Sequence, residues 1–343
     1  MPDPLEPFHT LFIGAVGCQD SSVPDLIDRA AGVGLRFPSR NQVVFPDGWG
    51  DRAAFDLLTL FDEQVEPVSP VWSSDAAMAG LRRRSGYFPS PLATLPAGSS
   101  VPMELVEPAG GTDRVVALFP AWNQEGFDQR RSLAEAVARR GVAVALLEIP
   151  LYGKRRRPGA VGMPIRTVAD FMVMGAGAIV EAQALLGGLR TEFPRVGVAG
   201  FSMGGNLAAL TSALAPFPLA TALMAAPHTP RAPYLEGNLS HAIRWKALGG
   251  PASRAELSAA LGAISATSYP ARPHHRDAVL VGGRHDGFVP PASIAELAAH
   301  WQVEVRWLRG GHGVLWWRRR HELVRAVLDS FVGLNEGRGS EPG

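Results

Sequence analysis

Short apolar runs alternate with longer amphipathic segments from about residue 114 onwards. Six runs rich in Val, Ala and Leu have the length and composition of buried parallel strands. They cover residues 114–120, 142–149, 196–200, 220–225, 278–282 and 303–308. Helices are predicted for residues 129–140, 168–189, 203–214, 292–300 and 317–331. This alternation predicts an α/β fold whose sheet is mostly parallel and flanked by helices.

The first part of the chain has a different pattern. Apolar positions at helical spacing in Pro24–Arg29 and Asp51–Leu58 predict a helical extension over residues 1–88. A passage rich in Pro, Ser and Gly follows, and we place the α/β domain over residues 89–335. Within that domain residues 228–276 exceed what a strand crossover needs and are predicted to form a cap insertion. Residues 336–343 are predicted to be a flexible tail.

Composition and charge narrow the classes of partner. Lys+Arg 33 against Asp+Glu 32 gives a net charge of +1, which does not favour binding to nucleic acid. The single cysteine, Cys18, has no partner in the chain for a disulfide or a structural metal site. The first residues lack the pattern of a secretory signal, and no apolar run is long enough to span a membrane. We therefore expect a cytoplasmic protein without stable membrane insertion.

The segment Gly200-Phe201-Ser202-Met203-Gly204 matches the G-x-S-x-G nucleophile elbow. A predicted strand precedes it and a predicted helix follows it, as the motif requires. The alternative is a chance tight turn in a chain with 38 glycines. The flanking elements favour the elbow, with Ser202 as the nucleophile.

A nucleophilic serine needs a base to take its proton and an acid to orient that base. Asp286 follows the strand predicted at 278–282, and His312 lies in a glycine-rich loop after the strand predicted at 303–308. The order Ser, Asp, His is that of the α/β-hydrolases. The alternatives are that Asp286 is only a turn residue and His312 only a loop residue.

Acyl transfer also requires two N–H donors for the oxyanion of the tetrahedral intermediate. The backbone of Met203 is one candidate. The loop after the first predicted parallel strand supplies the other, and we choose Trp122, with Ala121 as its nearest competitor. Pro120 has no N–H to donate. Trp122 could also simply pack beneath the cap, which is compatible with the donor role.

Three further features are open to two interpretations each. Tyr152 is a candidate for substrate binding, and the basic run Lys154–Arg157 behind it either recognises an anionic group of the substrate or forms a solvated loop. Trp245 either lines an acyl pocket or anchors the cap. The pair His274-His275 is expected to lie in a solvated loop.

The chain resembles the alpha/beta-hydrolase domain-containing protein eighteen family in several segments. These are residues 48–50 (GWG), 148–155 (EIPLYGKR), 169–175 (ADFMVMG), 200–205 (GFSMGG), 239–245 (LSHAIRW) and 310–312 (GGH). The resemblance implies an α/β-hydrolase fold with a Ser-Asp-His triad, and Ser202, Asp286 and His312 fall on the matching positions. Acyl-lipid hydrolysis is suggested for eukaryotic relatives. The chain departs from them by a shorter insertion and by the sequence FPAW at residues 119–122.

The reaction predicted from these residues is hydrolysis of a carboxylic ester through an acyl-enzyme on Ser202, with a small-molecule or lipid ester as substrate. This chemistry requires no metal and no organic cofactor. The same triad could serve a thioesterase, an amidase or an acyltransferase, and the fold could also belong to a catalytically silent binding protein. The sequence leaves open whether the N-terminal extension covers the active site or forms a homodimer.

Overall fold

The computed structural model describes residues 25–36, 43–92 and 99–336. Its nine strands are β1 (Val71–Met78), β2 (Leu81–Pro89), β3 (Ser100–Pro108), β4 (Arg114–Phe119), β5 (Ala143–Leu147), β6 (Arg195–Phe201), β7 (Ala220–Met224), β8 (Val279–Gly283) and β9 (Val305–Leu308). They form one sheet in the order β1-β2-β3-β5-β4-β6-β7-β8-β9. The six strands from β4 to β9 run parallel, and β1, β2 and β3 add an antiparallel edge.

In the described part of the chain, eight α-helices accompany the sheet. They are α1 (Leu26–Arg36), α2 (Asp128–Ala138), α3 (Val168–Leu189), α4 (Met203–Leu214), α5 (Arg254–Gly262), α6 (Pro291–Trp301), α7 (His312–Arg318) and α8 (Arg320–Glu336). The helices pack against the sheet through two clusters of buried apolar side chains. Strands β5, β7 and β8 are buried along their whole length, because both faces of the sheet are covered. The α/β-hydrolase fold expected from the sequence is confirmed, and all six predicted parallel strands are present.

The prediction of a helical extension reaching residue 88 is wrong over β1 and β2. The extension does contain α1 and a 3-10 helix, Arg52–Asp62, but its last part forms two strands of the sheet. β2 pairs along its whole length with β3, so the sheet is continuous across the predicted boundary at residue 89. The sequence did not predict β1 because this strand is almost entirely exposed at the edge of the sheet and therefore lacks an apolar pattern.

Helix α3 is the most apolar of the described helices. It is long and apolar enough to cross a membrane by length and composition alone, but 89% of its most apolar window is buried inside the protein. It begins with a capping box in which the Thr167 hydroxyl accepts from Asp170 N–H and the Asp170 carboxylate accepts from Thr167 N–H. Its composition is therefore that of a core helix packed between the sheet and the 3-10 helix of the extension.

The last helix differs from the prediction. The helix predicted at 317–331 is two helices, α7 and α8, and the first already begins at His312.

The pair His274-His275 does not lie in a solvated loop. His275 is fully buried and stacks on Trp301 with ring centroids 4.2 Å apart. Burial, and then the neighbouring His274, lower the pKa of His275 to about 4, so its ring is neutral near pH 7.

The segment between β7 and β8 corresponds to the predicted cap insertion. It holds α5 and a series of single 3-10 and π turns. A parallel bridge between Val44 and Ile243 ties it to the N-terminal part of the chain. Cys18 and the predicted tail beyond Glu336 lie outside the described residues.

Candidate active site

Ser202 is the single residue between the end of β6 and the start of α4. Its backbone has φ 59° and ψ −121°, a strained conformation for a residue with a side chain. The turn is held by Ser202 N–H, which donates to Met224 O of β7 at 2.8 Å. A Cβ on Gly204 would lie 2.7 Å from Pro120 O and 2.8 Å from Phe119 O, so only glycine fits there. This is the geometry of a nucleophile elbow.

Asp286 and His312 are joined by a short hydrogen bond. Asp286 lies in the loop after β8, and His312 Nδ1 is 2.7 Å from its Oδ2 atom. The other carboxylate oxygen, Oδ1, accepts from the backbone N–H groups of Phe288 at 2.9 Å and Val289 at 2.8 Å. Because an ionised carboxylate only accepts, Nδ1 of His312 carries the proton and Nε2 is the basic nitrogen of the neutral ring.

The His312 ring lies between aromatic side chains at the same edge of the sheet as Ser202. The ring of Phe201, the residue before Ser202, is 4.6 Å from that of His312, and the ring of Phe288 is 5.4 Å away. Burial acts to lower the pKa of His312, but the charge and hydrogen bond of Asp286, together with the charge of Asp28, raise it above the ordinary value. The electrostatics of the site therefore favour an imidazolium at His312.

The loop after β4 runs beside the elbow. Ala121 N–H donates to Gln124 Oε1 at 2.9 Å, so the nearest competitor of Trp122 is already engaged. Trp122 is half-buried, and in the part of the chain that the structure describes its N–H donates to no protein acceptor. Met203 is the first residue of α4, where an N–H has no partner within the helix. Within the described residues, therefore, neither of these two N–H groups is engaged by a protein acceptor.

Tyr152 follows β5 and is fully buried beside the same loop. Burial raises the pKa of its phenol above the ordinary range, while the backbone N–H of Asn123 acts in the opposite direction. Within the described residues no oxygen accepts the Tyr152 hydroxyl proton, and Asn123 Oδ1 has no hydrogen-bond partner. Asn123 has φ 62°, a conformation that asparagine tolerates better than most residues. Two polar groups with unused hydrogen-bonding capacity therefore lie buried next to Trp122.

Trp245 and the basic run have different surroundings. Trp245 begins a 3-10 helix of the insertion and is half-buried, with the Arg254 guanidinium 6.0 Å from its ring. In the basic run, Arg155 binds the buried Glu181 of α3 at 2.6 Å, Arg156 binds Glu125 at 2.7 Å, and Arg157 binds Asp170 at 2.6 Å. The three arginines therefore make ion pairs within the protein, while Lys154 and Arg157 are exposed, so the run is solvated in part.

Sequence reasoning missed Asp28 of α1. Its carboxylate is buried and accepts from three backbone N–H groups, and two of these, Gly287 at 2.9 Å and His312 at 2.7 Å, belong to the loops that hold Asp286 and His312. The signal was present in the sequence, because Asp28 occupies the first position of the buried stripe Asp28, Ala31, Gly32 and Leu35 of the helix. An acidic residue in an apolar stripe indicates a buried partner.

Comparison with known proteins agrees with this architecture. The family model described as alpha/beta hydrolase domain containing 18 matches residues 43–268, well over half of the chain. The chain belongs to this family. Membership in the alpha/beta hydrolase domain containing 18 family supports a hydrolase, and the matched residues include the elbow and most of the insertion.

Solved structures support the same fold. An acetyl xylan esterase from Paenibacillus sp. R4 is similar with a TM-score of 0.54 and 13% identity, over 86% of this chain and 98% of that chain. Acetyl xylan esterase 1 from Thermoanaerobacterium sp. JW/SL YS485 has a TM-score of 0.50 and 16% identity, over 84% of this chain and 97% of that chain. At such identities the likeness concerns the fold alone.

Proposed function

We propose that this protein is a serine hydrolase that cleaves a carboxylic ester through an acyl-enzyme on Ser202. The observation that carries the proposal is the 2.7 Å hydrogen bond between His312 Nδ1 and Asp286 Oδ2. It fixes the tautomer in which Nε2 is the base, at the end of the sheet where the strained turn presents Ser202.

The proposed reaction has two halves. Ser202 Oγ attacks the ester carbonyl while His312 Nε2 takes its proton, and the same proton then goes to the departing alkoxide. In the second half His312 Nε2 deprotonates a water that attacks the acyl carbonyl, and the same proton then goes to Ser202 Oγ as the acid departs. Asp286 remains ionised and stabilises the imidazolium that forms in each half.

The oxyanion of each tetrahedral intermediate would be held by the backbone N–H groups of Met203 and Trp122. This assignment is supported by the engagement of Ala121 N–H with Gln124, which removes the nearest competitor. A donor of this kind contributes about 10²–10³ in kcat in other enzymes. The polar atoms of Tyr152 and Asn123 next to Trp122 are proposed to bind a polar group of the substrate.

Labelling with a fluorophosphonate probe tests the nucleophile. We expect the wild-type protein to be labelled and Ser202→Ala to lose both labelling and ester hydrolysis, the latter by at least about a thousandfold. Ser73→Ala is the matched control, because Ser73 lies on the exposed edge strand β1 and donates only to Ser85 O at 3.0 Å. Labelling that persists in Ser202→Ala, or is absent from the wild type, would contradict the proposal.

The substrate class is tested with p-nitrophenyl esters of graded acyl length, alongside matched thioester and anilide substrates. Hydrolysis that is fastest with short acyl groups would identify a small-molecule esterase, and a maximum with long groups would identify a lipid acyl hydrolase. Preference for the thioester or the anilide would replace the ester in the proposal by that bond. Transfer to an added alcohol in place of water would identify an acyltransferase.

A further inference from the structure

The carboxylate of Asp28 joins the N-terminal helix to both loops of the proposed triad. Its Oδ2 atom accepts from Gly287 N–H at 2.9 Å and from His312 N–H at 2.7 Å, while Oδ1 accepts from Gly313 N–H at 3.2 Å. Gly287 directly follows Asp286 in the chain. A single buried side chain therefore binds the backbone next to the acid and the backbone of the base.

The fit around this carboxylate is tight. Gly311 and Asp28 are in such close contact that a Cβ on Gly311 would overlap the Asp28 carboxylate. Gly311 has φ −96°, a value open to any residue, so the need for glycine comes from Asp28 and not from the backbone. Further contacts hold α1 in place: Asp25 N–H donates to His285 O at 2.9 Å, and Asn238 Nδ2 donates to Asp28 O at 2.7 Å.

A carboxylate with three donors at the start of α7 has an evident structural value, because it caps the N-terminus of that helix. The placement of the Asp28 carboxylate differs from that of an ordinary helix cap in two respects. The capped residue is His312 itself, and the carboxylate comes from the opposite end of the chain. A second negative charge thus lies beside the Asp286–His312 pair.

We propose that Asp28 is a positioning residue of the active site, which holds the loops of Asp286 and His312 in register and stabilises the imidazolium form of His312. The inference rests on the proposed function, since the residues that Asp28 positions are those of the proposed triad. It also makes the N-terminal helix α1 part of the active site.

The electrostatics agree with this role. The charge of Asp28 acts to raise the pKa of His312, and burial, followed by the charge of Asp286, raises the pKa of Asp28. Other titratable or charged groups within three residues of these contacts in the chain are Asp25, Arg29, Arg284, His285 and Arg309. Of these, Arg29, Arg284 and Arg309 are exposed, and Asp25 Oδ1 accepts from Ile27 N–H at 2.9 Å. Asp28 and Asp286 are the two carboxylates that act on the His312 ring.

The test compares Asp28→Asn with Asp25→Asn, a matched change at the start of the same helix. For Asp28→Asn we expect kcat/KM for a p-nitrophenyl ester to fall about ten- to a hundredfold, as misplaced reacting groups do. The acid limb of its pH profile should move to lower pH, because one negative charge near His312 is gone. Asp25→Asn should leave the position of that limb unchanged.

A purely structural role for Asp28 would give a different result. In that case the activity of Asp28→Asn would fall only in proportion to the loss of folded protein, measured by thermal unfolding, and the acid limb would not move. Either an unmoved limb or an equal movement in Asp25→Asn would overturn the proposal.

A double-mutant cycle tests the contact itself. Gly311→Ala displaces the Asp28 carboxylate without changing any charge, so we expect it to lower kcat in the wild-type background. In the Asp28→Ala background the same change should cost clearly less, because the side chain that it displaces is absent. Asp25 Cβ, 2.8 Å from the added atom, is present in both backgrounds. Additive effects would contradict a positioning role.

Titration of His312 by nuclear magnetic resonance separates this inference from the proposed function. If Asp28→Asn lowers the pKa of His312, Asp28 stabilises the imidazolium whether or not the wild-type protein hydrolyses esters. A wild-type protein without esterase activity or probe labelling would then refute the function alone. An unchanged His312 pKa in Asp28→Asn would refute the inference alone.

Discussion

At the scale of single residues, the protonation state of His312 controls the proposed reaction. Only the neutral ring can accept the Ser202 proton, and the carboxylates of Asp286 and Asp28 overcome the effect of burial to raise the pKa of His312. We therefore expect kcat/KM to increase with pH through a pKa above the ordinary histidine value of 6.5. A pH profile of ester hydrolysis measures it, and an acid limb at or below 6.5 would contradict the expectation.

The same shift has a consequence for stability. The folded protein binds the His312 proton more tightly than the unfolded chain does. Protonation of His312 therefore stabilises the fold, and this contribution is fully present below pH 6.5. This contribution is lost as the pH increases through the folded-state pKa. Thermal unfolding of the wild type and of His312→Gln measures this over the same pH range. We expect the difference between their unfolding midpoints to become smaller as the pH rises.

Tyr152 provides a residue-scale test of substrate binding. Its hydroxyl lies buried beside the backbone N–H of Asn123, and no described residue accepts its proton, so Tyr152→Phe removes a polar group that contributes little to the stability of the fold. We expect thermal stability to be unchanged or higher, and KM to increase for a substrate with a polar group near the ester. Steady-state kinetics and thermal unfolding measure the two effects, and an unchanged KM for every such ester would remove Tyr152 from the site.

At the scale of elements, a buried ion pair joins α3 to the loop after β5. Arg155 and Glu181 have side chains that are 2% and 0% exposed, and Ser90 Oγ donates to Glu181 Oε1 at 2.7 Å. Glu181→Gln would leave the Arg155 guanidinium buried without its charge partner. We expect the free energy of unfolding to fall by about 3–5 kcal/mol.

The control for this change is an exposed pair. Arg306 and Asp329 are 2.5 Å apart with side chains 45% and 37% exposed, so Asp329→Asn should cost about 0–1 kcal/mol. Denaturant unfolding of both variants measures the difference. Equal costs would mean that water reaches the Arg155–Glu181 pair and that it does not anchor α3.

The elements also differ in how far the sequence predicts them. The helices at 168–189 and 203–214 match the predicted bounds, and each parallel strand lies within two or three residues of its prediction, because buried elements must be apolar. The edge strand β1 faces water and carries no such pattern, and in β2 the buried residues Leu81, Arg84 and Phe88 do not alternate. β3 did carry one, since Val101, Met103 and Leu105 alternate and are buried. A strand at 100–108 could therefore have been predicted.

At the scale of the whole molecule, the parallel sheet gathers residues that are far apart in the chain. Ser202 follows β6, Asp286 follows β8 and His312 follows β9, and the carboxyl ends of parallel strands meet at one edge of a sheet. Helix α1 returns from the N-terminal end to the same edge and contacts the two loops after β8 and β9. The proposed catalytic residues thus depend on packing between the two ends of the chain.

The sequence by itself determined the α/β-hydrolase fold and the residues proposed for its triad. The reason is that both leave local marks: buried strands require apolar runs, and the strand-to-helix turn at Ser202 requires glycine at positions 200 and 204. Only the tertiary structure decided the surroundings of Asp28, Tyr152 and Arg155. Each of these polar groups is buried by segments distant in the chain, and sequence spacing carries no information about which groups will face them.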